Sequence, residues 1–361
     1  MIPLDDDRDV LGRYLPQELI PDESGTRKSI LGDTASVRER IVKLALPSSL
    51  GGADASVHDV VAILIALGAQ APNLVVGLVG QQAEILWALS CPETLGRQEL
   101  LNALTGTVTA GLERTSGHLE FAALGTAQEK GKCKIASGET IYAPSPVADI
   151  MSVVLRHEAG NPGDNRYSLV HLDTRALNST DSEWGALGHA LHLEGLTIDH
   201  ATRFEMPLRE EELYMLMSWT LIISSVSAIS VVTGEMEQVV RQGRHQSAAP
   251  SMVGQLCLVR EALDARVTET WSKTEAADQL HAKCLMSARA IRCIVDELSD
   301  WCLEAMGGMI FSQQPERLRN LEIGRMAGPL IFSRPVGTEI MEFVNNTLRS
   351  LSETGRMNVH S

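Results

Sequence analysis

The order of residue patterns along the chain predicts a mixed α+β protein, with helices first, a small β region in the middle third and a helical bundle last. Three observations carry this. Apolar positions follow a helical period from about residue 36 to 105. Short β-prone runs bounded by Gly, Pro, Asn and Asp occupy residues 106–205. From Pro207 onward, long helical periods return. The expected divisions are therefore an N-terminal helical domain at 1–105, a middle β domain at 106–205 and a C-terminal bundle at 206–361. A chain of 361 residues is long enough for such a plan, since a domain takes roughly 150.

In the first part, Pro47-Ser48-Ser49-Leu50-Gly51-Gly52 and Cys91-Pro92 break the helical period. The uncharged stretch 60–85 is interrupted by Pro72 and reads as two packed helices. In the middle third, the strand candidates are 107–110, 131–135, 151–155 and 167–170. Met206-Pro207 followed by Glu210-Glu211-Glu212 reads as the start of a helix with an apolar body at 213–232. That body has the length of a membrane span, about twenty residues, but it contains Ser218, Thr220, Ser224, Ser225, Ser227 and Ser230. A central helix buried in a bundle is the expectation, with no membrane span.

The composition, 44% hydrophobic and 21% charged, is that of a folded protein. With 46 acidic against 31 basic residues the formal charge is -15, so nucleic acid and anionic membranes would be repelled on average. Aromatic residues make up only 4%, too few for a base-stacking platform. The six cysteines include no Cys-x-x-Cys pair. Cys284, Cys293 and Cys302 recur at a spacing that puts successive ones on opposite faces of a helix, because nine steps of about 100° make half a turn beyond two full ones. They read as free thiols in a reducing cytoplasm. The first thirteen residues are acidic and lack the apolar core of a secretory signal. His189, His192 and His200 suggest no metal, since an odd offset on a strand points to opposite faces.

Several local motifs, in order, resemble the acyl-CoA dehydrogenase superfamily over about residues 36–345. Pro47 to Gly52 is similar to that family's N-terminal Pro-x-x-x-Gly-Gly turn. The run Ala110-Gly111-Leu112-Glu113-Arg114-Thr115-Ser116-Gly117 stands where the family has its Thr-Glu-Pro-x-x-Gly-Ser loop. Gly131 to Lys134, Ser137-Gly138-Glu139 and Val147-Ala148-Asp149-Ile150 resemble its middle strands, the Ala-Asp pair being the most specific match. Leu303 to Gly308 and then Pro315-Glu316-Arg317-Leu318-Arg319 follow its Gln-x-x-Gly-Gly and Pro-x-x-Arg pattern.

The resemblance implies an acyl-CoA dehydrogenase-like fold with FAD between the β domain and the bundle, and a glutamate that removes the α-proton of an acyl thioester. It places cofactor contacts at Glu113, Gly117, Arg244, Gly307 and Gly308. The base position departs from the family. Aligning Gly337-Thr338-Glu339-Ile340 puts Val336 in its place, and another register puts Arg334 there. Neither accepts a proton at neutral pH. Where some members carry the glutamate on an earlier bundle helix, spacing leads to about Met217, with Glu210, Glu211 and Glu212 two turns away at a solvated helix start.

Flavin contacts depart as well: Leu112, His118, Ile141 and Ala143 replace the expected polar or aromatic residues, and Glu304 replaces the glutamine before the glycine pair. Weak or absent flavin binding is the expectation. Thr220, Ser224 and Ser227 share a helical face and, with Val336, are candidates for a substrate cleft, close helix packing being the alternative for the hydroxyl residues.

Catalytic residues are left unassigned. Three functions stay open: an enzyme of specialised metabolism without α,β-dehydrogenase activity that acts on a small acyl or polyketide-like substrate, for example as a cyclase; an FAD-dependent oxidoreductase or monooxygenase; and a non-catalytic subunit of a hetero-oligomeric relative. The C-terminal helices are expected to join copies into a homo-oligomer, because their apolar content exceeds one face.

Overall fold

The computed structural model describes residues 10, 12–14, 39–69, 71–91, 95–105, 109–110, 123–129, 132–138, 141–143, 150–157, 167–173, 178–180, 189–192, 202–242, 249–307 and 315–327. After a helical turn at 39–42, the Pro-x-x-x-Gly-Gly segment forms a short 3-10 turn, Ser48–Leu50. Both glycines are required there. Gly51 closes the turn at φ 76, and a Cβ on Gly52 would lie 1.9 Å from the Leu46 carbonyl oxygen.

Four helices follow: α1 (Val57–Gly68), α2 (Pro72–Gly77), α3 (Val79–Ser90) and α4 (Leu95–Leu104). Ser56 caps α1 by accepting from the Asp59 amide at 3.1 Å. The stretch 60–85 therefore holds parts of three helices where the sequence suggested two. Pro72 starts α2 at the first helical position, where its missing N–H costs nothing, and the chain turns again at Leu78.

The strands are β1 (Thr109–Ala110), β2 (Ala123–Glu129), β3 (Lys132–Gly138), β4 (Ile141–Ala143), β5 (Ile150–His157), β6 (Tyr167–Asp173), β7 (Asn178–Thr180), β8 (His189–His192) and β9 (Thr202–Leu208). The larger sheet runs β3-β2-β5-β6-β9 with β1 paired to β5, and the smaller one runs β4-β8-β7. All four strand candidates match strands, while β2, β4, β7, β8 and β9 were not anticipated. The bundle does not begin at Pro207. That residue lies in β9, opposite Ser168, at the sheet edge, where a proline need not break a ladder of hydrogen bonds.

The second helical region comprises α5 (Glu210–Arg241), α6 (Ala249–Ser272), α7 (Ala277–Met306) and α8 (Pro315–Ala327). The first turn of α5 is closed by the Glu212 side chain, which accepts from the Arg209 amide at 2.8 Å. Beyond it α5 is the axis of the fold, packed against α1, α2, α3, α6, α7 and α8. It is long and apolar enough to cross a membrane, with a mean hydropathy of 1.9, but 94% of that window is buried inside the protein. The apolar excess of 213–232 is thus absorbed within the chain and does not call for a second copy.

On α7, Cys284 and Cys302 are buried and Cys293 is exposed, as the half-turn spacing requires. A buried ion pair pins α8 to α5: Arg317 Nε donates to Glu235 Oε2 at 2.6 Å, and Asn320 Nδ2 to Oε1 at 2.8 Å.

Candidate active site

The position where an acyl-thioester base was sought on the central helix is one turn into the buried part of α5. Met217 and Ser218 occupy it, 9% and 0% exposed. Ser218 Oγ donates to the Tyr214 carbonyl at 2.7 Å and lies 3.5 Å from Nδ1 of His281 on α7. The His281 ring is 2% exposed and stacks at 5.5 Å on Tyr214. Behind it, Cys284 Sγ contacts Thr270 Oγ1 at 3.7 Å. A hydroxyl, an imidazole and a thiol therefore stand here in place of a carboxylate.

Burial and hydrogen bonding set the protonation of two of these groups. Burial pushes the Cys284 thiol up to about 11, against the weaker pull of the Thr270 hydroxyl. Tyr214 is pushed up to about 12, first by burial and then by the Glu210 carboxylate, to which its hydroxyl donates at 3.3 Å. Both stay protonated at neutral pH, so Cys284 is no nucleophile there. The imidazole of His281 is the group of this cluster that can both donate and accept a proton. Sequence reasoning missed it. The signal was His281 and Cys284 three apart on an amphipathic helix, facing Tyr214 and Ser218 four apart on its neighbour.

Beside this cluster is a cavity of about 640 Å³ between the end of α3, the start of α5 and the α6–α7 turn, with Cys91, Tyr214 and Met215 among its walls. Glu210, Glu211, Glu212, Glu275 and Asp278 outnumber Arg209 and Lys273 around it. A polyanionic carrier such as coenzyme A would be repelled. Glu210 and Glu211 are exposed at the helix start, as the sequence suggested.

Thr220, Ser224 and Ser227 are all buried on α5. Thr220 and Ser227 donate to the carbonyls of Leu216 and Ile223 one turn back, at 2.9 Å each. None of the three lines the cavity above. Nearby the helices approach closely, since a Cβ on Gly68 of α1 would lie 1.8 Å from Ser230 Oγ.

Of the expected cofactor contacts, Glu113, Gly117, Arg244 and Gly308 lie outside the described residues, as do Val336, Arg334, Leu112 and His118. Gly307 ends α7 at φ 64 and ψ -168, a conformation open in practice to glycine alone, and among the described residues nothing lies within 4 Å of a would-be Cβ. That leaves room for a phosphate. The charge opposes one, because the carbonyl end of α7 is the negative end of its dipole and the exposed Glu304 adds an anion in the last turn. Ile141 and Ala143 lie on β4, paired to β8. His189 and His192 are at the ends of β8, His200 lies outside the described residues, and among those described no three metal-ligating side chains cluster.

No protein-family model matches the chain, and no curated protein matches it by sequence. Solved structures do match. Dibenzothiophene monooxygenase (TdsC) from Paenibacillus sp. A11-2 is similar at 14% identity and a TM-score of 0.67, over 96% of this chain and 97% of that one. Butyryl-CoA dehydrogenase from Megasphaera elsdenii gives 12% and 0.68 over 96% and 97%. A nitrososynthase from Micromonospora carbonacea var. africana gives 13% and 0.69 over the same shares, 96% and 97%. The chain has the acyl-CoA dehydrogenase fold, as the sequence resemblance implied.

Proposed function

We propose that this is an enzyme of the acyl-CoA dehydrogenase fold that does not carry out α,β-dehydrogenation and acts on a small acyl or polyketide-like molecule. One observation carries the reading: α5 holds no free carboxylate where a base is needed. Glu210, Glu211 and Glu212 are in its first turn, Glu235 is locked to Arg317, and Glu237 pairs with Arg241 at 3.8 Å near its far end. Met217 and Ser218 supply no carboxylate for an α-proton, and a substrate held there is steered by shape and by hydrogen bonds to Ser218 and His281. Non-redox chemistry such as cyclisation fits that arrangement. The acidic rim favours a substrate free of coenzyme A.

A second reading, flavin-dependent oxygenation, is favoured by the monooxygenase and nitrososynthase of like fold, because oxygenation needs no α-proton base. The visible absorption spectrum of the purified protein, taken with a desaturation assay across acyl-CoA chain lengths, separates the readings. A colourless protein without desaturation is expected. Stoichiometric flavin without desaturation would favour oxygenation, and robust desaturation would overturn both.

A further inference from the structure

Ser218 and His281 are shut away from solvent. Together with Met217 they are buried, and none of the three lines the cavity beside them. Tyr214 belongs to both places. Its ring is half-buried and forms part of the cavity wall, and it stacks on the His281 ring with centroids 5.5 Å apart and planes 38° from parallel. Its carbonyl accepts from Ser218 Oγ, one turn further along α5, at 2.7 Å.

The backbone of Tyr214 is held firmly and its ring is not. The start of α5 is closed just before it, by the Glu212 carboxylate on the Arg209 amide and by the Leu213 amide on the Arg209 carbonyl at 3.0 Å. Two directional contacts hold the ring among the described residues: the stack on His281, and one hydrogen bond, at 3.3 Å, from its hydroxyl to Glu210 one turn back. Glu210 is exposed, so water competes for that bond. An aromatic side chain on a helix has two χ1 wells open to it, near 180° and -60°, and a swing between them leaves the backbone in place. The space beside the ring is kept by a braced wall at the α6–α7 turn, where Lys283 pairs with Glu275 and lies 3.9 Å from Glu269.

We propose that Tyr214 is a gate, whose ring swings into the cavity of about 640 Å³ and joins that cavity to the buried Ser218 and His281. The gate rests on the reading that substrate is held at Met217 and Ser218, and it supplies the access such a buried position needs. Closing restores the stack on His281 and the bond to Glu210, and it shuts water out behind whatever has entered. One hydrogen bond shifts an equilibrium of this kind about two- to tenfold, so its loss raises the open population by that factor while α5 stays folded.

Labelling of histidines by diethyl pyrocarbonate, read peptide by peptide by mass spectrometry, reports access to His281 in the full chain without any substrate. Two other histidines calibrate it. His58 on α1 is exposed and sets the rate of an open imidazole. His171 on β6 is 0% exposed, its Nε2 2.8 Å from Glu84 Oε2, and reports loosening of the fold at large. Tyr214→Phe keeps the ring and loses the hydrogen bond, while Glu210→Ala removes the acceptor instead. In each variant the labelling rate of His281 relative to His58 should rise about two- to tenfold, and the double variant should go no further, because both changes remove the same bond. His171 should stay slow throughout. An unchanged His281 rate in either single variant, a further rise in the double variant, or a matching rise at His171 would overturn the gate. No turnover enters this measurement, so its outcome is separate from that of the desaturation assay, which tests the reaction.

Discussion

If the thiol of Cys284 were a nucleophile, the Ser218–His281–Cys284 cluster would be a covalent site, and thiol alkylation decides the matter. Cys284 is raised to about 11 by burial, with Thr270 and Ser218 pulling weakly the other way. Its thiolate appears only as pH rises towards that value, so at pH 8 about one molecule in a thousand carries it. An ordinary exposed thiol is ionised roughly a hundredfold more at the same pH, and Cys293, on the opposite face of α7, is exposed. Burial of Cys284 slows the reagent further. A time course of iodoacetamide labelling at pH 8, resolved by peptide mass spectrometry, should show Cys293 reacting at least a hundredfold faster than Cys284. Cys302, raised to about 12 by burial and by Glu235, should be slower still. Labelling of Cys284 within tenfold of Cys293 would refute the argument and restore a nucleophilic reading of the cluster.

Replacing Arg317 by Met leaves Glu235 buried with Asn320 as its remaining described side-chain partner and should cost about 3–5 kcal/mol, seen as early urea unfolding of the bundle. Replacing Glu235 by Leu in the same chain should recover most of that loss, and a double variant no better than the single one would show that the pair is not the cause. Light scattering at micromolar concentration should give a multiple of 39.2 kDa, through α6 and α7, which expose Leu258, Trp271 and Met286. A mass of one chain would reject that. Exchanging His281 for Asn should lower turnover of the native substrate with little change in thermal stability, whereas a purely packing role would lower stability instead.

The sequence determined the order of helices, strands and helices, because hydrophobic periodicity is a local property written residue by residue. By resemblance it also put Met217, and either Val336 or Arg334 outside the described residues, where the family carries its carboxylate. The alternation of Cys284, Cys293 and Cys302 was legible for the same reason, as helix geometry fixes which face each takes. Short strands such as β4 and β7 escaped notice, because three residues carry too little pattern and are held by pairing with β8. Pro207 misled because its tolerance depends on lying at a sheet edge, which only the strand order reveals. Whether the apolar length of α5 faced lipid, another copy or its own chain was decided by the six helices around it. The same holds for each charged or polar pair that matters here. Glu84 with His171, Glu235 with Arg317 and Ser218 with His281 are 87, 82 and 63 residues apart in sequence, and nothing local signals a partner at that distance. Contacts of that kind exist only once the chain has closed on itself, when burial makes an unpaired polar group costly enough to select its partner.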